Sequence, residues 1–312
     1  QATTDALIFI PQVPSGGFTS SQLSNVGEIE NSGIEFSMNV APVRGRDVSV
    51  DLGFRYSTNK SRVLDLGNLQ SVAMDWNQFI RPCSSDVGGS GLPIDSGGYA
   101  ECPLPGNYHW VIDPDQDPNA LEDPVMIEQY LGPSYPTRTI GFDANIEVFN
   151  RLSLNALGEF QGGHSLNAGE AYQNTRRLVW PECRDVHSTQ SKTRDPDPAV
   201  KAEGWAEYDL LTAYQRAKCW SGITTYGMWT NAADFFKLRS ISLSYQIPET
   251  LLGGGRSATI RFQGRNLLTL TDFEGMDPEA LEDGSRDWAS FRQSYYNLPP
   301  AKSFMMSLSV NF

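Results

Sequence analysis

The residues best suited to catalysis are a serine beside a histidine and two further histidines. His164 and Ser165 lie in segment 163–167, which begins like the nucleophile elbow of a serine hydrolase but lacks its closing glycine. The segment also follows a strand pattern directly, with no helix pattern of the kind that an elbow needs. His109 and His187 are distant in sequence, and the three histidines show no metal-ligand spacing. The sequence therefore predicts that the chain is not an enzyme.

An acidic run that begins at Asp113 could bind a cation. Asp113, Asp115 and Asp117 occupy alternate positions, and Asn119 and Glu122 follow them. Because oxygen ligands at such spacing suit a hard cation, we expect a Ca²⁺ site at the three aspartates and no other cofactor. The alternative is an acidic loop whose side chains are hydrated.

Six tryptophans fall in the long stretches that lie between strand patterns. Their rings could stack on sugar rings or line a peptide site, since each combines a large apolar area with one polar group. The alternative is that they pack the loops against each other. The candidate ligand-binding residues are Trp76, Trp110, Trp180, Trp205, Trp220 and Trp288.

The four cysteines fall in two pairs, and each pair lies within one long loop-like region. No spacing typical of a zinc site or a redox motif occurs. We therefore expect the disulfides Cys83–Cys102 and Cys183–Cys219, which imply an oxidising, exported location. Four free thiols in a reducing cell are the alternative.

Composition predicts a folded chain that is not built around one large core. Hydrophobic residues make up 39% of the 312 residues, and there are 28 glycines and 19 prolines, yet aromatic residues reach 11%. The net charge of -13 argues against a nucleic-acid partner. The sequence contains no run of about 18 apolar residues, so it predicts no transmembrane helix. No leader is present at Gln1, and we favour an internal start over a cleaved signal peptide.

Period-two alternation of apolar and polar residues predicts about seven strands, which form an all-β structure. In the last of them, segment 303–312, every second residue from Phe304 to Phe312 is apolar. Segment 202–218 has the one helix-like pattern. The polar sides of the predicted strands carry Glu35, Asp51, Arg55, Asp143, Glu147, Glu159, Arg261 and Arg265.

The connections between predicted strands alternate in length. Short turns near Pro42, Asn150 and the glycines at 253–255 alternate with long regions, one before Gly33 and three that begin near Leu64, Gly162 and Thr271. Long loops at one end and short turns at the other are typical of an outer-membrane β-barrel, whose water-filled interior accepts charged side chains. The strands of a soluble β-sandwich would also alternate apolar and polar residues, but a sandwich has no reason to alternate long and short loops. With the long loops extracellular, the C-terminus lies in the periplasm.

Several segments together resemble the C-terminal region of the SusC/RagA-type TonB-dependent outer-membrane transporters. They follow one another in the order and spacing of that family and cover most of the predicted strands. These segments are 25–35 (NVGEIENSGIE), 131–136 (LGPSYP), 234–239 (DFFKLR), 243–248 (LSYQIP), 264–269 (GRNLLT) and 275–279 (GMDPE).

The resemblance implies that residues 1–312 are the C-terminal segment of a barrel of about 22 strands, without its plug and first strands. It further implies that Phe312 belongs to the barrel-assembly signal. In related transporters the acidic loop often carries a central glycine, where this sequence has Pro118. The implied partners are the rest of the barrel and its plug, TonB, ExbB and ExbD, a SusD-like surface lipoprotein and outer-membrane lipid.

The predicted function is TonB-dependent import of a sizeable solute, an oligosaccharide or a peptide, across the bacterial outer membrane. This chain would supply barrel wall and extracellular loops. One alternative is a secreted β-sheet module that binds glycans, which would not depend on detergent. Another is a passive structural barrel without TonB coupling.

Overall fold

The computed structural model of the chain describes residues 2–4, 7–10, 22–25, 28–65, 72–73, 78–80, 106–252, 256–286 and 289–311. The strands are β1 (Ala2–Thr4), β2 (Leu7–Ile10), β3 (Gln22–Asn25), β4 (Glu28–Arg44), β5 (Val48–Asp65), β6 (Val72–Ala73), β7 (Gln78–Ile80), β8 (Gly106–Ile112), β9 (Met126–Pro133), β10 (Arg138–Val148), β11 (Leu152–Gly162), β12 (Ser165–Ala168), β13 (Thr230–Ala232), β14 (Phe235–Ile247), β15 (Ser257–Thr271), β16 (Leu281–Arg286), β17 (Ala289–Ser294) and β18 (Ser303–Asn311). The helices are α1 (Gly169–Arg176), α2 (Arg184–Thr193), α3 (Pro198–Tyr208), α4 (Ala213–Cys219) and α5 (Glu249–Leu252), with 3₁₀ turns at Pro181–Cys183 and Gly227–Trp229.

The largest sheet, which we call the wall sheet, contains all seven strands that alternation predicts. Its order is β1-β4-β5-β10-β11-β14-β15-β18, and every neighbouring pair is antiparallel. Several strands are longer than predicted because irregularities interrupt the period of two. In β14, for example, the register shifts between Leu238 and Ser240, so the strand begins at Phe235 and not near Ile241.

The two faces of the wall sheet differ in polarity, because successive side chains of a strand point to opposite sides. One row of paired residues runs Met38–Phe54–Phe142, and the Phe54 and Phe142 rings are 5.4 Å apart. The apolar face is left open to the surroundings: Phe304 and Met306 of β18 are 80% and 66% exposed. An ordinary soluble sheet buries such a face.

The connections confirm the predicted alternation of lengths. At one end of the wall sheet, β4 and β5 are joined by residues 45–47, and β10 and β11 by residues 149–151. Phe149 and Asn150 both have positive φ, and Arg151 N donates to the Val148 carbonyl, as in a type I′ hairpin turn. The connections at the other end span 66–137, 163–234 and 272–302. The glycine turn at 253–255 lies outside the described residues.

A separate unit, which we call the outer domain, is built from the long connections and contains the hydrophobic core. Its sheets have the orders β6-β7-β8-β9 and β13-β12-β17-β16; α1 packs on β17, α4 packs on β8, and α2 packs on α3 and α4. Leu166 and Trp229 are fully buried at its centre, beside Cys183 and Phe273. Within the described part of the chain, no helix is long and apolar enough to cross a membrane.

The single helix-like segment at 202–218 corresponds to two helices. Asp197 caps α3 by accepting from Ala199 N, and Pro198 occupies its first turn. The Thr212 and Gln215 side chains form a capping box that starts α4. The sequence prediction missed α1, α2 and the hairpins β8–β9 and β16–β17, because these Gly-, Pro- and Asp-rich regions carry no clear period and depend on packing with distant residues.

The outer domain is cross-linked as predicted by Cys183–Cys219, which joins the turn before α2 to the end of α4. The Cys83–Cys102 pair falls outside the described residues.

Replacing Cys183 and Cys219 by alanine should lower the free energy of unfolding of the outer domain by about 2–4 kcal/mol, because the bond closes a long loop. Urea titration of the intact protein, followed by tryptophan fluorescence, measures this change. As the control, wild type and C183A/C219A are compared again under reducing conditions, where their midpoints should agree because neither protein then carries the Cys183–Cys219 bond. Equal midpoints for wild type and C183A/C219A without reductant would contradict the prediction.

Candidate functional site

The candidate site lies on the polar face of the wall sheet. A cavity of about 640 Å³ lies against strands β4, β5, β10 and β11. Strand register places Ser37, Arg55, Gly141 and Glu159 in one row across its floor. The polar residues that line it are Glu35, Ser37, Arg55, Ser57, Thr139 and Glu159.

The charged residues predicted for this face lie on it, and several pair across strands. Arg55 contacts the Asp143 carboxylate at 2.9 Å, and Gly53 leaves room for that carboxylate because a Cβ there would collide with it. Arg261 Nε donates to Ser244 Oγ at 2.9 Å. Arg55 and Asp143 are both well exposed, so their pair contributes little stability. It shapes the charge pattern that a solute in the cavity would meet.

A more strongly buried cluster of charged side chains centres on Lys237. It lies at the end of the polar face that joins the long connections. The Lys237 ammonium group donates to both Asp277 oxygens, at 2.8 and 2.9 Å, and to Glu279 at 2.8 Å. Lys237 and Asp277 are 4% and 6% exposed. Because a lysine is seldom buried unless paired, these carboxylates are what permits Lys237 to occupy the wall.

Arg239 extends the cluster along the wall sheet. Its guanidinium group donates to Glu159 of β11 at 2.9 Å and to Glu279 at 2.6 Å. A bulge at this point of β14 means that no residue of β11 or β15 is paired with Arg239 in the strand register. A bulge commonly redirects the side chain of the bulged residue, and here that side chain reaches Glu159. Burial disfavours the charge of Glu279, but hydrogen bonds from Arg239 and Lys237 outweigh it and lower the pKa of that carboxyl.

The cluster joins two segments that sequence reasoning treated as separate motifs, 234–239 and 275–279. It ties the connection that follows β15 to the wall at β14 and β11. The signal was present in the sequence: basic residues two positions apart in a strand, and acidic residues two positions apart in a loop. Neither local pattern indicated that the basic and acidic side chains meet, because residues 237 and 277 are distant along the chain.

The six candidate tryptophans are not gathered into one site. Trp180 packs edge-on against the buried Trp229, with ring centroids 5.8 Å apart, and Trp220 packs against Tyr208 at 4.6 Å. Both rings thus contribute to packing, and ligand binding by the candidate tryptophans stays a prediction. Trp110 and Trp205 are about half exposed. Trp76 and Trp288 lie outside the described residues, as does Phe312.

The acidic run caps turns within its own loop. Asp113 Oδ1 accepts from Asp115 N, and Asp117 Oδ1 accepts from Asn119 N, both at 2.9 Å. Among the described residues, no three His, Cys, Asp or Glu side chains are grouped so that they could hold a metal ion. Calcium binding at Asp113, Asp115 and Asp117 stays a prediction.

The histidines are dispersed in the outer domain, and burial keeps them neutral. Burial lowers the pKa of His109 to about 4. Burial, assisted by the charge of Arg292 and opposed by Asp234, lowers the pKa of His164 to about 4. Neither ring nitrogen of His164 has a hydrogen-bond partner within the described part of the chain. Burial also lowers the pKa of His187.

Lys237→Met should loosen segment 272–280 by about 3–5 kcal/mol, because Asp277 would keep a buried charge without its partner. Hydrogen exchange of the backbone amides of this segment measures the effect in the intact protein. Adding Asp277→Leu should restore part of the protection, since both charges are then removed. Arg55→Met, which breaks an exposed pair, should change exchange little. Unchanged exchange in Lys237→Met would contradict the assigned role.

Acid should destabilise the outer domain through its neutral histidines. The folded-state pKa values of His109 and His164 lie below the ordinary value of 6.5. Unfolding therefore takes up protons, so stability is full above that value and falls as pH drops toward about 4. Urea midpoints near neutral pH and about pH 5 measure the slope. His164→Phe should reduce the slope, because phenylalanine cannot titrate; an unaltered slope would count against His164.

Known proteins that are similar to this chain are TonB-dependent receptors. No protein-family model matches the chain. It is similar to TonB-dependent receptor P3 of Formosa agariphila, at 25% identity over 99% of the chain and 31% of the receptor. It is also similar to TonB-dependent receptor P26 of that organism, at 24% identity over 99% of the chain and 32% of the receptor. The chain thus spans about a third of the length of the curated relatives it matches.

Solved structures share the fold. The RagAB peptide transporter matches with a TM-score of 0.61 and 17% identity, over 99% of this chain and 32% of that one. The RagAB peptide importer in its closed-closed state gives 0.62 and 18%, with the same coverage. Over 99% of its length the chain is therefore similar to curated TonB-dependent receptors, and it shares its fold with the RagAB transporter structures.

Proposed function

We propose that the chain forms wall and extracellular loops of a transporter that imports a sizeable solute across the bacterial outer membrane, using energy from TonB. The observation that carries the proposal is the inverted polarity of the wall sheet. Its apolar face is exposed and its opposite face is charged, whereas a soluble sheet would bury the first and hydrate the second. Lipid would cover the apolar face, and the charged face would line a water-filled passage, so each face would lie in a solvent of matching polarity.

The edges of the wall sheet support the presence of further barrel strands. Within the described residues, β18 pairs with β15 alone and β1 with β4 alone. Hydrocarbon offers no hydrogen bonds to the outer backbone groups of such edge strands, so other strands must complete them. We infer that this chain occupies the C-terminal part of the barrel, with a plug inside it.

The connection lengths support an orientation. The short turns at 45–47 and 149–151 would face the periplasm, and the outer domain would face the outside of the cell. β18 runs toward the short-turn end, which would leave the C-terminus in the periplasm. TonB, ExbB and ExbD would then act from the periplasmic side, and a SusD-like surface lipoprotein would contact the extracellular side.

The solute would be a peptide or an oligosaccharide. Glu35, Arg55 and Glu159 line the cavity with charges of both signs, which suits a solute with polar groups of both kinds. A secreted glycan-binding module, the second reading of the sequence, leaves the exposed apolar face unexplained.

Uptake by cells that carry the full-length receptor tests the proposal. Labelled peptides and labelled oligosaccharides are offered to cells with the receptor, without it, and without TonB. One of the two classes should enter only when both receptor and TonB are present. Equal uptake in the strain lacking TonB would contradict energy coupling, and a receptor found in the soluble fraction without detergent would contradict the membrane assignment.

Leu308→Arg should impair the folded receptor in the outer membrane, whereas Ser309→Arg should be tolerated. Leu308 lies on the exposed apolar face near the middle of β18, and Ser309 lies on the opposite face. An arginine facing lipid at mid-depth costs about 2–4 kcal/mol. Urea unfolding of the receptor in lipid vesicles measures the difference. Equal midpoints for the two variants would show that Leu308 does not face lipid.

A further inference from the structure

The Lys237 cluster holds an amine, a carboxyl carbon and a second carboxylate in direct contact. Lys237 Nζ lies 2.8 and 2.9 Å from the two oxygens of Asp277, so the carboxyl carbon of Asp277 faces the nitrogen. A carboxylate oxygen of Glu279 lies 2.8 Å from the same nitrogen. Reacting groups held about 3–3.5 Å apart gain the advantage of an intramolecular reaction. An amine and a carboxyl group placed in this way can condense to an amide.

The surroundings of this pair exclude water. Lys237, Asp277 and Phe235 are buried, and Pro278 is fully buried. The centre of the Phe235 ring lies 5.6 Å from Lys237 Nζ. Charges in such a place cost free energy even when they are paired. Transfer of one proton from the ammonium group to the Asp277 carboxylate removes both charges, and it leaves the neutral amine and the carboxylic acid that amide formation requires.

Hydrogen bonds distinguish the roles of the two carboxyl groups. The backbone N–H of Glu279 donates to Asp277 Oδ1 at 2.8 Å. It thus places a donor where negative charge develops when a nitrogen adds to the Asp277 carboxyl carbon. The Glu279 side chain accepts from Arg239 at 2.6 Å as well as from Lys237. Because these hydrogen bonds outweigh burial, the pKa of the Glu279 carboxyl is lowered, and the group stays ionised as a proton acceptor.

We propose that Lys237 and Asp277 form a covalent modification site, at which an amide bond forms spontaneously between Lys237 Nζ and Asp277 Cγ with Glu279 as the catalytic residue. The neutral amine adds its electron pair to Cγ, and the C–N bond forms. Glu279 takes a proton from the nitrogen and gives it to the protonated Oδ2, whose bond to Cγ then breaks. One water molecule leaves, nothing is oxidised or reduced, and Glu279 is regenerated.

The amide joins β14 to the connection that follows β15 by a bond that denaturants do not break. It replaces two buried charges by a neutral group, so the contact no longer depends on pairing of charges. The proposal concerns the folded chain alone and does not depend on which solute is imported.

Two other contacts between lysine and carboxylate serve as internal controls. Lys192 also meets two carboxylates, those of Glu203 and Glu207, but these three side chains are between 30% and 59% exposed. Water therefore stabilises the charged ammonium group of Lys192. Lys218 is buried, but it donates to Glu274 and to a backbone carbonyl, and among the described residues no second carboxylate contacts it to carry the proton. Neither lysine should form an amide.

Mass spectrometry of the full-length receptor, extracted from the outer membrane with detergent, tests the proposal. The receptor is unfolded, reduced and digested with trypsin, which does not cleave after a lysine whose amine is in an amide. Wild type should yield peptide 219–239 joined to peptide 266–286, lighter than their sum by the mass of one water molecule. Lys192 and Lys218 should be recovered unlinked. Recovery of peptides 219–237 and 266–286 only as separate species overturns the proposal, as does equal linkage at Lys192 or Lys218.

Glu279→Gln tests the catalytic role, and Glu274→Gln in the same connection is its matched control. The linked fraction is followed with time after a pulse of isotope-labelled amino acids. Because general acid–base catalysis contributes about a hundredfold or more, the link should form at least about a hundredfold more slowly in Glu279→Gln and at the wild-type rate in Glu274→Gln. Lys237→Arg, which keeps the positive charge, should carry no link. Formation of the link at the wild-type rate in Glu279→Gln overturns the proposed catalysis.

Discussion

The alternation of side chains across a β-strand is the constraint on which the rest of the structure depends. One residue in two must share a face, so each strand of the wall sheet presents one apolar and one polar surface. Here the apolar surface is exposed and a cavity lies against the polar one. The molecule consequently has its hydrophobic core in the outer domain, around Trp229 and Leu166, and not beneath the large sheet. Each face of the wall sheet requires a different solvent.

The Lys237 cluster shows how a wall and its loops become one structure. Asp277 and Glu279 reach from the connection after β15 to Lys237 and Arg239 on β14, and Arg239 reaches on to Glu159 on β11. Buried charges cost free energy unless they are paired. Because any other position of the loop would leave several of these charges unpaired, the cluster favours this one position. The cluster therefore specifies where the outer domain stands relative to the cavity.

Much of the wall could be predicted from the sequence, because its signal is local and repeated. Seven alternating segments and their connection lengths gave the correct strand order without knowledge of any contact. The outer domain could not be predicted in this way. Segment 202–218 has one helical period but two helices, since the capping residues Thr212 and Gln215 restart the backbone within it. Trp180, Trp205 and Trp220 contact other aromatic rings, and only those neighbours distinguish them from Trp110. The Lys237–Asp277 pair joins residues that no local pattern connects.

The central claim is that lipid covers one face of the wall sheet and water the other. The most direct measurement places spin labels, one at a time, along β18 of the full-length receptor in a bilayer, at the six positions 303–308. Collision rates with oxygen, which dissolves in lipid, and with a nickel chelate, which stays in water, are then compared. The account predicts high oxygen accessibility at 304, 306 and 308, and high nickel accessibility at 303, 305 and 307. Rates without a period of two would contradict it.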